Sequence, residues 1–135
     1  MKVRETPPFA PVLMESTRAI GYSLESAIAD IIDNSIAAKA SKVELLFFPI
    51  GNAYVCILDN GTGMNDDQID TAMQYGSKSP IDIRDASDLG RYGLGLKTAS
   101  LSQCRMLTVV SKQGNLLVGR RWDLDYVAET GNWSL

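Results

Sequence analysis

The chain contains no histidine and only two cysteines, which excludes several common kinds of site. Cys56 and Cys104 form neither a CxxC nor a CxxH pattern, so a zinc site would lack its usual ligands. Two cysteines without such a pattern are typical of small buried side chains in a reducing compartment. We therefore expect no zinc site.

A long apolar run is also missing. The longest apolar stretch, 43–50, is interrupted by Glu44 and Pro49 and is far shorter than the roughly 20 residues of a membrane-spanning helix. The first residues lead into Pro7 and Pro8 rather than into an apolar export signal. A net charge of −3 argues against a whole-chain attraction to nucleic acid or anionic membrane, although it is compatible with a local basic patch. These absences predict a cytoplasmic protein without a membrane partner.

What is present is the composition of an ordinary soluble domain. Of the 135 residues, 45% are apolar and 21% are charged, which suffices for one domain with a buried core. Residues 1–15 are rich in proline and are predicted to form an extended arm or edge strand, and no closing element is predicted for the last residues. Periodicity and capping signals predict helices at 24–40, 65–75 and 96–103, and strands at 43–50, 53–58, 106–111 and 115–122. A long loop is predicted at 76–95. This order lacks regular βαβ alternation and favours an α+β two-layer α/β sandwich, with helices on one face of a mixed, mostly antiparallel sheet.

The first motif that carries chemistry is the stretch 59–63, with the sequence Asp-Asn-Gly-Thr-Gly at the end of a predicted strand. Gly61 and Gly63 allow a tight turn and the close approach of a flat ligand. The Asp59 carboxylate only accepts hydrogen bonds, so it can receive the exocyclic amine of adenine but cannot pair with the carbonyl of guanine. The same composition is also typical of a simple turn between a strand and a helix.

A glycine-rich stretch forms the second motif, at 90–98, and runs directly into a predicted helix start. Free backbone N–H groups at a helix start favour an anion, and Lys97 would add a positive charge. The stretch is not a Walker A loop, because Leu96 separates Gly95 from Lys97. A flexible loop that ends in a helix is the alternative interpretation.

The third motif lies on the predicted helix 24–40, whose apolar arc consists of Leu24, Ile28, Ile31, Ile32, Ser35 and Ile36. Asp30 and Asn34 are one helical turn apart, so their side chains are neighbours on one face. A solvated polar face is the alternative. The flank that carries them also holds Ala27, Ala37 and Ala38 and few long charged side chains, which favours a close neighbour over water.

In this order, the three motifs together resemble the GHKL ATPase superfamily, whose members include gyrase-type topoisomerases, MutL, the large heat-shock chaperone, MORC proteins and histidine kinases. The segment 29–35 resembles the helix motif that binds Mg²⁺, 57–64 the adenine motif, and 93–97 the motif that closes the ATP lid, while 75–79 lies where the lid begins. The pattern at 92–100, followed by a hairpin, is most similar to MORC-type ATPases.

The resemblance implies the Bergerat ATP-binding fold and a role for each matching residue. Asn34 would bind Mg²⁺, Asp30 would act as the general base, and Lys97 would stabilise charge at the terminal phosphate. Residues 76–95 would close over the nucleotide. The resemblance implies ATP-binding residues at Asn34, Asp59, Gly61, Gly63, Met64, Lys78, Gly93, Leu94, Gly95, Leu96, Lys97 and Thr98.

Three departures from the family pattern shape the expected function. Asp30 occupies a position that is usually glutamate, which implies slow hydrolysis, and Ala37 stands where MutL-like members carry aspartate. The adenine-binding threonine of a late strand has no counterpart, so we expect residues 1–135 to be the N-terminal part of a longer protein. The implied function is a conformational or dimerisation switch that is driven by Mg-ATP. The implied partners are ATP and ADP, a second copy of the chain in an ATP-dependent homodimer, and nucleic acid or protein bound through downstream domains. Two alternatives remain: a nucleotide-binding interaction module without hydrolysis, and a histidine kinase catalytic domain, which Lys97 and the absence of histidine disfavour.

Overall fold

The computed structural model describes residues 2–19, 21–75 and 95–135 of the chain. Among the helices in these ranges, none has the length and apolar character that crossing a membrane requires. The α+β class predicted from the sequence is confirmed, since helices accompany antiparallel strand pairs. The elements are α1 (Ala10–Arg18), α2 (Leu24–Ala37), β1 (Val43–Phe48), β2 (Tyr54–Asp59), α3 (Asp66–Met73), α4 (Gly95–Gln103), β3 (Met106–Gln113), β4 (Leu116–Asp123) and α5 (Leu124–Thr130).

The four strands pair as two antiparallel hairpins, β1 with β2 and β3 with β4. The antiparallel pairing is as predicted, but within the described ranges the two hairpins are not hydrogen-bonded to each other as one continuous sheet. The register of the first hairpin pairs Asp59 with Val43 and Tyr54 with Phe48. Asp59 therefore lies at the open end of its hairpin, next to the loop that follows α2.

Both ends of the chain differ from the prediction. The expected extended arm at 1–15 is wrong, since α1 begins at Ala10 with Pro11 in its first turn. Proline is tolerated there because the first N–H groups of a helix have no partner within the helix. A closing helix, α5, was not predicted, although Asp123 caps it by accepting hydrogen bonds from the backbone N–H groups of two following residues, and Gly131 ends it at a φ of 69°.

The main hydrophobic core lies among α1, α3, α4, β4 and α5. At its centre, the indole N–H of Trp122 donates to the Met73 carbonyl oxygen at 2.8 Å. Buried polar groups of this kind need a partner, and here the partner is a carbonyl at the end of α3. The buried core residues are Ala10, Met14, Ile69, Met73, Leu101, Trp122, Leu124 and Val127.

The helix α2 carries two of the predicted site residues and packs chiefly against α4. Ser23 caps its N-terminus by accepting from the Ser26 N–H at 3.1 Å. Its buried residues are Ala27 and Ser35, whereas Leu24 and Ile36 of the predicted apolar arc are 43% and 52% exposed. The fully buried residues of α2 are therefore small, while Ile28, Ile31 and Ile32 are half-buried.

Candidate functional site

The Asp59 carboxylate is held by hydrogen bonds on both of its oxygens. Ser35 on α2 donates its hydroxyl to Oδ2 at 2.7 Å, and the Gly61 N–H donates to Oδ1 at 2.9 Å. Ser35 is buried, with 3% of its surface exposed, while Asp59 itself is exposed. A carboxylate has about four lone-pair positions. Two donors therefore fix its orientation and leave acceptor capacity for a ligand.

Asn60 fixes the same turn to the loop that joins α2 to β1. Its side-chain oxygen accepts from the backbone N–H groups of Ser41 and Lys42, both at 2.9 Å, and its amide donates to the Ser41 hydroxyl at 2.8 Å. The Thr62 N–H adds a hydrogen bond of 2.9 Å to the Ala38 carbonyl oxygen. The turn is thus attached to the C-terminal end of α2 by side-chain and backbone contacts.

The two glycines of the turn are required by the packing of the fold. A Cβ atom on Gly61 would lie 2.8 Å from both the Cβ atom and the carbonyl oxygen of Ala38. Gly63 has a φ of 69°, and a Cβ atom there would lie 2.0 Å from the Lys112 carbonyl oxygen on β3. The next residue, Met64, donates its N–H to the Ser111 hydroxyl at 2.7 Å. Gly61 and Gly63 therefore let the turn fit between α2 and the second hairpin.

Asp30 and Asn34 are half-buried neighbours on successive turns of α2, as their spacing predicts. The Asn34 side-chain amide donates to the Asp30 carbonyl oxygen at 3.3 Å. This leaves Asn34 Oδ1 without a hydrogen bond from any described residue, so it is available as an oxygen ligand. The Asp30 carboxylate accepts the Tyr22 hydroxyl on Oδ2 at 2.8 Å.

Lys97 lies in the interior on α4. Its side chain is fully buried, and its ammonium donates to the Ala72 carbonyl oxygen near the end of α3 at 2.5 Å. A cation at this place complements the partial negative charge of a helix C-terminus. The neighbouring Thr98 is also buried, whereas Gly95 and Leu96, at the start of α4, are partly exposed.

Several predicted site residues fall outside the described ranges. These are Lys78, Gly93 and Leu94, together with the predicted lid apart from its last residue. Tyr75, which directly precedes the lid, is described, and burial raises its pKa to about 12. It is therefore protonated at neutral pH.

The described parts of the three motifs lie on α2 or against it, with residues 95–98 standing for the second motif. The adenine-motif turn lies on its C-terminal end through Ser35 and Ala38, and α4 packs along it. Gln103, at the end of α4, donates to the Tyr22 carbonyl oxygen at 2.9 Å and so connects α4 to the start of α2. The helix α2 therefore contacts both the adenine-motif turn and α4.

Two of the cavities that the described residues line are relevant to the predicted site. One, of about 290 Å³, includes Asp59 in its lining but neither Asp30 nor Asn34. This volume is near the lower end of the range for ligand pockets, roughly 300–1,000 Å³. The other, of about 660 Å³, contains no predicted site residue; its aromatic lining residues are Tyr75, Trp122 and Trp133. The smaller cavity is thus the one adjacent to the predicted adenine carboxylate.

A magnesium ion is the metal that the predicted site implies. Among the described residues, no three acidic or cysteine side chains are grouped so that they could hold a metal ion by themselves. Mg²⁺ normally keeps several waters and binds through substrate phosphates and one or two protein oxygens. The available Oδ1 of Asn34 fits this mode of binding, in which nucleotide phosphates and water would supply the remaining ligands.

Comparison with known proteins decides the family. The model of the family described as histidine kinase-, DNA gyrase B-, and HSP90-like ATPase matches residues 22–135. The chain belongs to this family. The resemblance to the GHKL superfamily is thereby confirmed, and so are the prediction of an ATPase-type fold and the assignment to a family of ATP-binding proteins.

Individual relatives from two branches of this family are similar to the chain. ATPase MORC2B of Mus musculus is 31% identical over 98 residues, which is 70% of this chain and 10% of that protein. ATPase morc-1 of Caenorhabditis elegans is 30% identical over 93 residues, covering 68% and 10%. The DNA mismatch repair protein MutL of Thermosipho melanesiensis is 29% identical over 91 residues, covering 66% and 16%. The chain therefore spans 10–16% of the length of these relatives.

Two residues of the site were not identified from the sequence. Ser35 was placed in the apolar arc of α2, where a lone polar residue is a signal of a buried hydrogen bond. Tyr22 precedes the helix and reaches Asp30 across two turns, a contact that helical spacing does not predict. Both act on carboxylates that the sequence had singled out.

Proposed function

We propose that the chain binds ATP with Mg²⁺ and hydrolyses it slowly, as a conformational or dimerisation switch driven by the nucleotide. The observation that carries this proposal is that hydrogen bonds from Ser35 and Gly61 fix the Asp59 carboxylate. Ser35 directly follows Asn34 on α2, so the Asp59 carboxylate is fixed next to the proposed Mg²⁺ ligand. Membership of a family of ATPases supports nucleotide binding. The remaining roles follow from the chemistry of each group.

Asp59 would select adenine over guanine. Its carboxylate accepts hydrogen bonds but donates none, so it pairs with the exocyclic amine of adenine and repels the carbonyl that guanine carries at the same position. Gly61 and Gly63 shape the turn, and Met64 would contact the base. The hydrogen bonds from Ser35 and Gly61 keep the carboxylate oriented before the base arrives, which lowers the cost of binding.

The phosphates would lie between α2 and the start of α4. Asn34 Oδ1 would hold Mg²⁺, which supplies positive charge to the phosphate oxygens when it is bound. The backbone N–H groups at the start of α4, around Gly95 and Leu96, would donate to the same oxygens. A contact between Lys97 and the terminal phosphate requires its ammonium to exchange the Ala72 carbonyl oxygen for a phosphate oxygen. Lys78, Gly93, Leu94 and Thr98 complete the proposed ATP-binding set.

Asp30 would act as the general base of hydrolysis. The oxygen of a water molecule forms a bond to the terminal phosphorus while the bond from phosphorus to the ADP oxygen breaks, and the water proton passes to the carboxylate. Asp30 Oδ1 accepts no hydrogen bond from a residue in the described ranges, so it is available for this proton. Because aspartate is one methylene shorter than glutamate, the reaction is expected to be slow.

ATP binding would promote the association of two copies of the chain. We propose a homodimer that forms when ATP is bound and separates after hydrolysis, with nucleic acid or another protein as the further partner. The relatives named above are ATPases and a DNA mismatch repair protein, each much longer than this chain. This is consistent with a nucleotide-binding module that drives other parts of a protein.

Replacing Asn34 with alanine tests the proposal. The Asn34→Ala variant loses the oxygen ligand of Mg²⁺, and we expect ATP turnover at limiting Mg²⁺ to fall by roughly 10- to 100-fold. Phosphate release would be measured over a range of Mg²⁺ concentrations. Asn52→Ala, at an exposed position next to the turn of the first hairpin, is the matched control and should match the wild type. Equal Mg²⁺ dependence in both variants would contradict the role of Asn34, and nucleotide binding without turnover in the wild type would favour a non-hydrolysing module.

A further inference from the structure

We infer that Tyr22 is a positioning residue, which orients the Asp30 carboxylate for catalysis. The inference rests on the proposed ATPase function and adds to it a residue outside the three motifs. Its basis is the hydrogen bond of 2.8 Å from the Tyr22 hydroxyl to Asp30 Oδ2. The match of the family model begins at this residue.

The Tyr22 backbone is fixed from both sides. Its carbonyl oxygen accepts from the Gln103 side chain at 2.9 Å, which attaches it to the end of α4. The residue that follows, Ser23, is the N-cap of α2 and accepts from the Ser26 N–H. The residue before it, Gly21, has a φ of 83°, a conformation that glycine adopts without strain. A tyrosine held in this way can present its hydroxyl at a constant position.

The hydrogen bond from Tyr22 restricts the rotation of the Asp30 carboxylate about χ2. An aspartate side chain on a helix has few χ1 rotamers, but the rotation of its carboxylate about χ2 is broad. A donor on Oδ2 restricts that rotation and therefore fixes the direction of Oδ1. A general base must be within hydrogen-bond reach of the proton that it removes, so its direction affects the rate.

A purely structural role does not account for the contact equally well. Side-chain acceptors cap the free N–H groups in the first turn of a helix. Asp30 is the seventh residue of α2 and lies beyond that turn, so it does not cap the helix. Both side chains are half-buried, so water can solvate the two groups when the contact is absent. The contact is therefore not needed to satisfy a polar group that water cannot reach. The consequence of the hydrogen bond therefore falls mainly on the orientation of the carboxylate.

The test compares single-turnover ATP hydrolysis in the wild type, Tyr22→Phe, Asp30→Asn and the double variant. Tyr22→Phe keeps the ring and removes the hydroxyl, and we expect the rate to fall roughly tenfold, the size of effect that a hydrogen bond to a charged group produces. The ADP dissociation constant should be unchanged. In the Asp30→Asn background, Tyr22→Phe should have no further effect, because the two residues act as one unit. The matched control is Tyr54→Phe, which removes the hydroxyl of an exposed tyrosine on β2 and should leave the rate unchanged.

The outcomes separate this inference from the proposed function. A wild type that releases no phosphate would overturn the ATPase function itself. A wild-type rate in Tyr22→Phe, alongside a slow Asp30→Asn variant, would overturn the role of Tyr22 and leave the ATPase function standing. A tenfold loss in both the wild-type and the Asp30→Asn backgrounds would also overturn it, because the effect would not pass through Asp30.

Discussion

Asp30→Asn is expected to lower the rate of phosphate release from Mg-ATP by roughly 10²- to 10⁴-fold, the usual contribution of a positioned general base. Asparagine keeps the size of the side chain and can still accept from the Tyr22 hydroxyl, but it cannot take up the proton of the attacking water. Because Asp30 is proposed to touch the water and not the base or the ribose, the ADP dissociation constant should stay within about twofold of the wild type. Single-turnover hydrolysis and calorimetry with ADP provide the two measurements.

Asp33→Asn is the matched control for this variant. It makes the same change of charge on the same helix, at a half-buried position one turn from Asp30 that carries no predicted role. The Asp33→Asn rate should remain close to that of the wild type. If the two variants were equally slow, or if Asp30→Asn hydrolysed ATP at the wild-type rate, Asp30 would not be the base.

The largest effect on stability is expected for Gly63→Ala. A non-glycine residue at a φ of 69° costs about 1–2 kcal/mol. The new Cβ atom would also lie 2.0 Å from the Lys112 carbonyl oxygen, which cannot move away unless β3 moves with it. Together these effects should lower the free energy of unfolding by more than about 3 kcal/mol. Losses of this size are typical of substitutions at strained or overpacked sites. Urea denaturation followed by circular dichroism would measure it.

Gly51→Ala separates the two contributions. Gly51 has a φ of 73°, almost the same as that of Gly63, but a Cβ atom on Gly51 would meet nothing within 4 Å. Gly51→Ala should therefore lose only the conformational term of about 1–2 kcal/mol. Equal losses in the two variants would mean that the close approach of Gly63 to β3 does not exist in solution.

Local signals were sufficient to predict much of the fold. The helix α3 begins next to the predicted bound at residue 65, where the structure shows a reciprocal capping box between the side chains and backbone N–H groups of Asn65 and Gln68. The second hairpin turns between the predicted strands 106–111 and 115–122, at Gly114 with a φ of 60°. Such features depend on residues close in sequence, so a single sequence carries the information.

The features that escaped prediction depend on distant contacts or competing signals. Three prolines near the N-terminus outweighed the helical pattern of α1, although a proline in the first turn is compatible with a helix. The helix α2 packs chiefly against α4, and its buried residues are Ala27 and Ser35, whereas Leu24 and Ile36 stay exposed. The hydrogen bond from the Lys97 ammonium to the Ala72 carbonyl oxygen is another long-range contact that the sequence does not reveal, and the role of Lys97 at a phosphate stays a prediction.

Calorimetric titration of ADP with Mg²⁺ into the wild type and into Asp59→Asn tests the central claim most directly. Asparagine at this position offers one acceptor oxygen instead of two, so it cannot serve Ser35, Gly61 and the adenine amine together. We expect the affinity for ADP to fall at least about tenfold, the effect of losing a hydrogen bond to a charged group. An Asp59→Asn variant that binds ADP as tightly as the wild type would contradict the assignment of this turn as the adenine site.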